Sequence, residues 1–269
     1  MASKKRIYIS SDIEGTCGIV HWAETEKGQD LYEHFARQMT REVRAACKGV
    51  LSGGAQSVCV KDAHDSARNI DPEKLPEVVT IYRGWARDPL CMVTGIDQGY
   101  DGVLFTGYHS AAGTNYNPLA HTMNTQNNFV RINGEKASEL MINAMAAAYY
   151  GVPTLMVTGD RGLCEWMNEK LPEVLTVPTN TGCGKGAWSI HPNLAVKRIR
   201  EAAEKAMSLN PEKCLFPIPP SFEVEIEYKE HDRARSASFY PGARLSGAKS
   251  VSYETKDYFD VLTFFHFVL

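Results

Sequence analysis

The chain has 269 residues, of which 43% are hydrophobic and 23% charged, and its formal net charge is −3. This is the composition of a globular protein with a sizeable core, and it excludes the clustered basic footprint of a nucleic-acid or anionic-membrane binder. No apolar run approaches the ~20 residues of a membrane span, and the one behind Met1-Ala2-Ser3-Lys4-Lys5-Arg6 is too short for a signal peptide, so the cytosol is the expected compartment.

Arg6–Ser10 is rich in β-branched and aromatic residues and predicts a first strand. Asp12 and Glu14 follow at spacing two, which in extended backbone places both carboxylates on one side. Gly15 and Gly18 then let the chain turn. From Asp30 to Leu51 apolar residues recur at helical spacing (Leu31, Phe35, Met39, Val43, Ala46, Val50), and Ser52-Gly53-Gly54 ends the pattern. Gln56–Val60 predicts a second strand, so the first three elements form a βαβ unit and a parallel sheet. Asp62 and His64 come directly after it. In parallel sheets ligands gather at the carboxyl ends of the strands, which puts His64 on the same edge as Asp12 and Glu14.

Residues 66–101 carry turn signals, with a short strand expected at Val78–Tyr82 and a short helix near 88–98. Gly102–Thr106 predicts a third strand that runs into Gly107-Tyr108-His109. Thr114–Asn128 is loop-like and carries His121. Phe129–Ile132 followed by Asn133-Gly134 predicts a hairpin. Ser138–Tyr150 predicts a helix with Glu139 in its first turn, and Thr154–Thr158 a buried strand leading to Asp160. A helix is expected at Leu163–Lys170, a strand at Val174–Val177, a flexible Gly-rich loop at Thr181–Ala187 and a helix at Asn193–Leu209. Four prolines within Asn210–Pro220 suggest a boundary. Beyond it Phe222–Tyr228 alternates strictly, Ala248–Thr255 could pair with it, and Tyr258–Leu269 reads as a C-terminal helix. The expected fold is α/β, a mainly parallel sheet flanked by helices in Rossmann-like layers. The expected domains are a catalytic region over residues 1–212 and a smaller C-terminal α+β part over residues 213–269.

Seven cysteines, an odd number with no C-x-x-C spacing, argue for reduced thiols over a disulfide frame or a Cys-based zinc site. Cys17 and Cys183 lie in Gly-rich stretches that could approach a site. The chemistry-bearing candidates are Asp12, Glu14, His64, His109, His121 and Glu139. Carboxylate oxygen and imidazole nitrogen are the usual donors to zinc or a similar divalent ion. Two ions ~3.5–4 Å apart could clamp and activate a water. Each residue also has a plainer reading: a loop cap, a solvated histidine, or a glutamate favoured by the helix dipole. Convergence of three strand ends on one edge favours the metal. His191 could enter the site, and Asp62 and Asp160 could orient ligands. The chain has no G-x-S-x-G, Walker loop or G-x-G-x-x-G after its first strand.

Five ordered motifs resemble the zinc-dependent D-aminopeptidases of the DppA type: Ser11-Asp12-Ile13-Glu14-Gly15, Asp62-Ala63-His64, Gly107-Tyr108-His109, His121-Thr122-Met123, and Glu139-Leu140 with Asn143. The resemblance implies a metallo-aminopeptidase with two zinc ions per subunit. Asp12 would bridge them, and Glu14, His64, His109 and Glu139 would complete their shells. His121 would be a catalytic histidine, best suited to acid–base work or oxyanion stabilisation beside a metal-bridging hydroxide. It also implies short, free-amino-terminal peptide or amide substrates containing D-residues, and a ring-shaped homo-decamer in the cytoplasm, with no nucleic-acid or membrane partner. Thr16–Trp22 and the loop at 181–191 depart from the family pattern. Two alternatives therefore remain, a non-peptide amide or ester hydrolase on the same frame and a metal-stabilised binding protein without turnover.

Overall fold

The computed structural model describes residues 5–269. Its larger sheet contains β1 (Arg6–Ser11), β2 (Ser57–Asp62), β3 (Val79–Tyr82), β4 (Gly102–Tyr108), β7 (Thr154–Asp160), β8 (Leu175–Cys183) and β9 (Gly186–Ser189), in the order β3-β2-β1-β4-β7-β8-β9. All neighbours are parallel except β8 and β9. β4 and β7 are buried along their whole length, which explains their continuous apolar runs. The chain reverses direction across the sheet between β1 and β4, and β1, β2 and β4 all end on one edge there. Such a switch point opens a crevice at the strand ends.

The helices are α1 (Tyr32–Ser52), α2 (Glu139–Tyr149), α3 (Arg161–Lys170), α4 (Pro192–Ala206), α5 (His231–Ala237) and α6 (Tyr258–Val268). In α1 the buried stripe runs through Tyr32, Ala36, Met39, Val43, Ala46 and Val50. Leu31, expected on that stripe, lies just before the helix and is exposed. α1 packs on α4 at contacts close enough that Gly49 approaches the Arg200 carbonyl and Ala203.

The smaller sheet is antiparallel, in the order β11-β12-β10-β5-β6, built from β5 (Asn127–Ile132), β6 (Glu135–Lys136), β10 (Phe222–Tyr228), β11 (Arg244–Leu245) and β12 (Ser250–Thr255). Residues 213–269 thus share a sheet with the hairpin at 127–136. That hairpin turns through Asn133 and Gly134, both with positive φ, as a two-residue turn requires. β10 buries Phe222, Val224, Ile226 and Tyr228 and turns its glutamates outward, as its alternation predicts. α6 packs on this sheet and on α2, where the Tyr258 hydroxyl donates to the Ile142 carbonyl at 2.7 Å.

Two expectations are corrected. Residues 181–187 are not a loop but the β8–β9 hairpin. The region 88–98 holds two short 3-10 turns, Cys91–Val93 and Ile96–Gln98, instead of one helix. No helix of the described residues is long and apolar enough to cross a membrane.

Candidate metal centre

β1 stops at Ser11, and Asp12–Gly15 form a turn instead of continuing as extended chain. Asp12 and Glu14 are therefore brought together by the turn and not by the pleat. Backbone bonds tie this turn to β4, from Asp12 N to the Thr106 carbonyl and from Gly15 N to the Gly107 carbonyl, both 2.8 Å. Contact this close needs glycine on each side. A Cβ on Gly15 would collide with the Tyr108 carbonyl, and one on Gly107, whose φ is +69°, would collide with the Asp12 carbonyl. The ends of β2 and β4 deliver His64 and His109, and the first residue of α2 delivers Glu139. Ser138 caps that helix by accepting from Met141 N at 3.1 Å.

Three imidazoles and three carboxylates meet here. His64 Nδ1 lies 3.2 Å from both Asp12 Oδ1 and Glu14 Oε2. His109 Nε2 lies 3.4 Å from Asp12 Oδ2 and 3.5 Å from Glu139 Oε1. His121 Nε2 lies 3.5 Å from the same Glu139 oxygen. Asp12 is thus shared between His64 and His109, and Glu139 between His109 and His121.

The opposite nitrogen of each ring meets a backbone carbonyl. His64 Nε2 is 3.0 Å from Thr25 O, His109 Nδ1 is 3.0 Å from Ser110 O, and His121 Nδ1 is 2.9 Å from Leu119 O. A carbonyl only accepts, so each of these nitrogens donates. The remaining nitrogen of every neutral ring then presents a lone pair to carboxylate oxygens. Histidines that ligate metals are oriented in this way.

Asp12, Glu14, Glu139 and His109 are all buried, and Asp12 Oδ2, Glu14 Oε2 and His109 Nε2 have no hydrogen-bond partner. Buried anions without compensation are costly, so the cage calls for positive charge. Burial pushes the Asp12 carboxyl up, but the His109 and His64 imidazoles beside it hold it well below the usual range. Burial pushes His64 down, yet Glu14 and Asp12 raise it well above its ordinary value; Glu139 and Asp12 do the same to His109. Ligand atoms of Asp12, Glu14 and His109 lie within 4.8 Å of one another, as do those of His109, His121 and Glu139. Hard oxygen and imidazole donors in two overlapping groups fit divalent metal.

The cage floors a cavity of about 350 Å³. His109 is fully buried beneath it, and His121 stands on its wall, stacked on His109 at 4.2 Å and edge-on to Trp22 at 5.2 Å. Trp85, which the sequence reading did not name, also lines the cavity, as do Met123, named there only as part of the His121-Thr122-Met123 motif, and Trp22. Trp22 lies within the divergent 16–22 segment, which was the available signal.

The remaining candidates fall in different places. Asp62 does not touch the His64 ring. It accepts from Asn69 N, Asn69 Nδ2 and Ile70 N, and Asn69 in turn donates to the His64 carbonyl at 2.7 Å. Asp160 accepts from Ser110 N and Oγ, and so fixes the residue whose carbonyl orients His109. His191 caps α4 and does not reach the cavity, nor do residues 181–191. The Cys17 thiol donates to the Ile190 carbonyl, and Cys183 is exposed at the hairpin.

The profile of the Peptidase_M55 D-aminopeptidase family matches residues 5–267. A D-aminopeptidase from Bacillus subtilis (strain 168) is 30% identical over 255 residues, covering 94% of this chain and 92% of that protein. A solved structure, that of the Zn-dependent D-aminopeptidase DppA from Bacillus subtilis, a self-compartmentalizing protease, superposes with a TM-score of 0.88 at 28% identity. It covers 97% of this chain and 95% of its own.

Proposed function

The chain belongs to the M55 family of D-aminopeptidases and is a metallo-aminopeptidase, and on that premise we propose that it hydrolyses short peptides or amino-acid amides with a free amino terminus, preferring D-residues, at a centre of two zinc ions. The observation that carries the two-ion reading is the shared carboxylate. Asp12 presents one oxygen to His64 and the other to His109, which suits a bridge. Glu14, His64, His109 and Glu139 would hold the pair with it. When bound, the ions supply Lewis acidity, which polarises a carbonyl and makes water nucleophilic at neutral pH.

The chain's own groups supply the rest. His121 keeps its Nδ1 proton on the Leu119 carbonyl, so Nε2 is its one exchangeable position on the cavity wall. There it accepts a proton from the attacking water and returns it to the amine that leaves as the C–N bond breaks. Glu26 and Asp65 at the cavity rim favour a cationic amino terminus. A cavity of about 350 Å³ suits a dipeptide-sized substrate and not a folded chain. The self-compartmentalizing character of the DppA structure supports an oligomeric assembly of this chain; the ring-shaped cytoplasmic decamer expected from the sequence resemblance would limit access to short peptides.

Turnover of D- and L-alanyl dipeptides and amides by zinc-loaded protein tests the assignment. Cleavage of D-alanyl substrates with release of the free amino acid is expected. Inert peptides beside a hydrolysed non-peptide amide or ester would overturn it, in favour of a different hydrolase on the same frame.

A further inference from the structure

A second cavity, of about 390 Å³, adjoins the metal cavity. The two share four wall residues, Asp65, Trp85, Cys91 and Met123, which form the neck between them. Beyond the neck Leu90 from the 88–93 turn, Ile142 from α2, and Leu262 and Phe265 from α6 form an apolar wall, and Arg87, Asp88, Asn143 and His266 also line the cavity. Two of the polar wall residues, Asp88 and Asn143, are already engaged within the protein, while Arg87 and His266 are exposed. Asp88 Oδ1 accepts from Leu90 N, Cys91 N and Thr94 Oγ1, and Asn143 Nδ2 donates to the Tyr108 hydroxyl and Met92 Sδ.

The neck is held rigidly. Asp65, Cys91 and Met123 all have left-handed backbone, with φ of 42°, 46° and 64°. Six described non-glycine residues have positive φ, and three of them stand at this one junction. Such conformations persist where the surroundings over-determine them, and they concentrate at ligand clamps. Trp85 is fixed as well. Its Nε1 donates to the Asp65 carbonyl at 2.7 Å, and the Lys61 ammonium, itself bonded to the Gly84 carbonyl at 3.0 Å, sits 4.0 Å from the ring centroid.

We propose that the second cavity is the subsite for a large apolar side chain next to the scissile bond, so that substrates with aromatic or branched residues there are preferred over alanyl ones. The proposal rests on the aminopeptidase assignment. A cavity of ~150 Å³ already takes a benzene ring, so a benzyl group fits with room to spare. The occupant is a substrate group because the cavity opens through the neck onto the reacting centre, and the neck residues wall both spaces.

The test compares kcat/KM for D-phenylalaninamide and D-alaninamide, with the L-forms in parallel and with Ala-Phe against Ala-Ala dipeptides for a side chain beyond the bond. The zinc-loaded parent and Leu262→Trp are assayed. Both substrates of a pair are read on one preparation, so an unfolded fraction cancels from their ratio. Leu90→Trp fills the same cavity from another element and gives the reading if Leu262→Trp does not fold. Calorimetric Kd values for D-phenylalanine and D-alanine give a readout independent of turnover. The parent is expected to favour the phenylalanyl partner of one pair at least tenfold, and filling is expected to cut that ratio at least tenfold in kcat/KM and in Kd. A ratio that stays within twofold of the parent's, while alanyl substrates are cleaved, overturns the subsite and leaves the assignment intact. Absence of any amide or peptide cleavage by the parent overturns the assignment itself.

Discussion

Replacing Glu42 with glutamine removes a buried carboxyl that sits directly behind the metal turn. Glu42 lies on α1, is 1% exposed, and accepts from Cys17 N at 3.1 Å and from Gln38 Nε2 at 2.9 Å, while its Oε2 has no partner. Burial raises its pKa from the ordinary 4.5 to about 7, against the opposing effects of Gln38, Cys17 N and Arg41. Between these values the folded chain binds a proton that the unfolded chain has lost. Stability therefore falls as pH rises from 4.5 to 7 and is flat with respect to this group above that. At about 1.36 kcal/mol per unit, the shift corresponds to roughly 3 kcal/mol. Glutamine keeps an acceptor for Cys17 N and carries no charge to desolvate. Urea unfolding of both proteins at pH 5, 6, 7 and 8 isolates the group, because every other titration is common to the two. The difference Glu42→Gln minus parent is expected to move in the variant's favour by roughly 2–3 kcal/mol across that range. A difference that stays within ~0.5 kcal/mol at all four values, the scale of an unremarkable surface change, would refute the reasoning.

Two further outcomes follow from the site. His121→Gln should keep its metal and its fold but lose ~10²–10⁴-fold in kcat, the usual worth of a general acid–base group; stopped assays beside metal analysis check this. Gly107→Ala places a Cβ against the Asp12 carbonyl on backbone with φ of +69°. Strain alone costs about 1–3 kcal/mol, so calorimetry should show Tm lowered by roughly 6–12 °C once the backbone clash is added.

The parallel strands were legible because β1, β2, β4 and β7 are apolar runs with chemistry-bearing residues just past their ends. The same logic singled out Asp12, Glu14, His64 and His109, while His121 came from a loop and Glu139 from a helix start and were tied to them by the ordered motifs; the structure brings all six together. The β8–β9 hairpin was not legible. Its edge strand is exposed, with Trp188 open to solvent, and its glycines and lysine read as a loop because no burial pattern marks them. Pairing of β5 with β10 joins segments about ninety residues apart, and an alternating strand does not name its partner. The carbonyls of Thr25, Ser110 and Leu119 that orient the three histidines belong to the backbone and leave no trace in residue identity. For the same reason Asp62 looked like a direct partner of His64, when it acts through Asn69.

Metal stoichiometry measured by plasma mass spectrometry tests the two-ion cage most directly. Parent protein equilibrated with zinc and desalted should retain two ions per chain. Asp12→Ala, which removes the one carboxylate that faces both His64 and His109, should retain fewer than one. Zinc-free parent protein, or an Asp12→Ala variant that still holds two ions, would contradict the account.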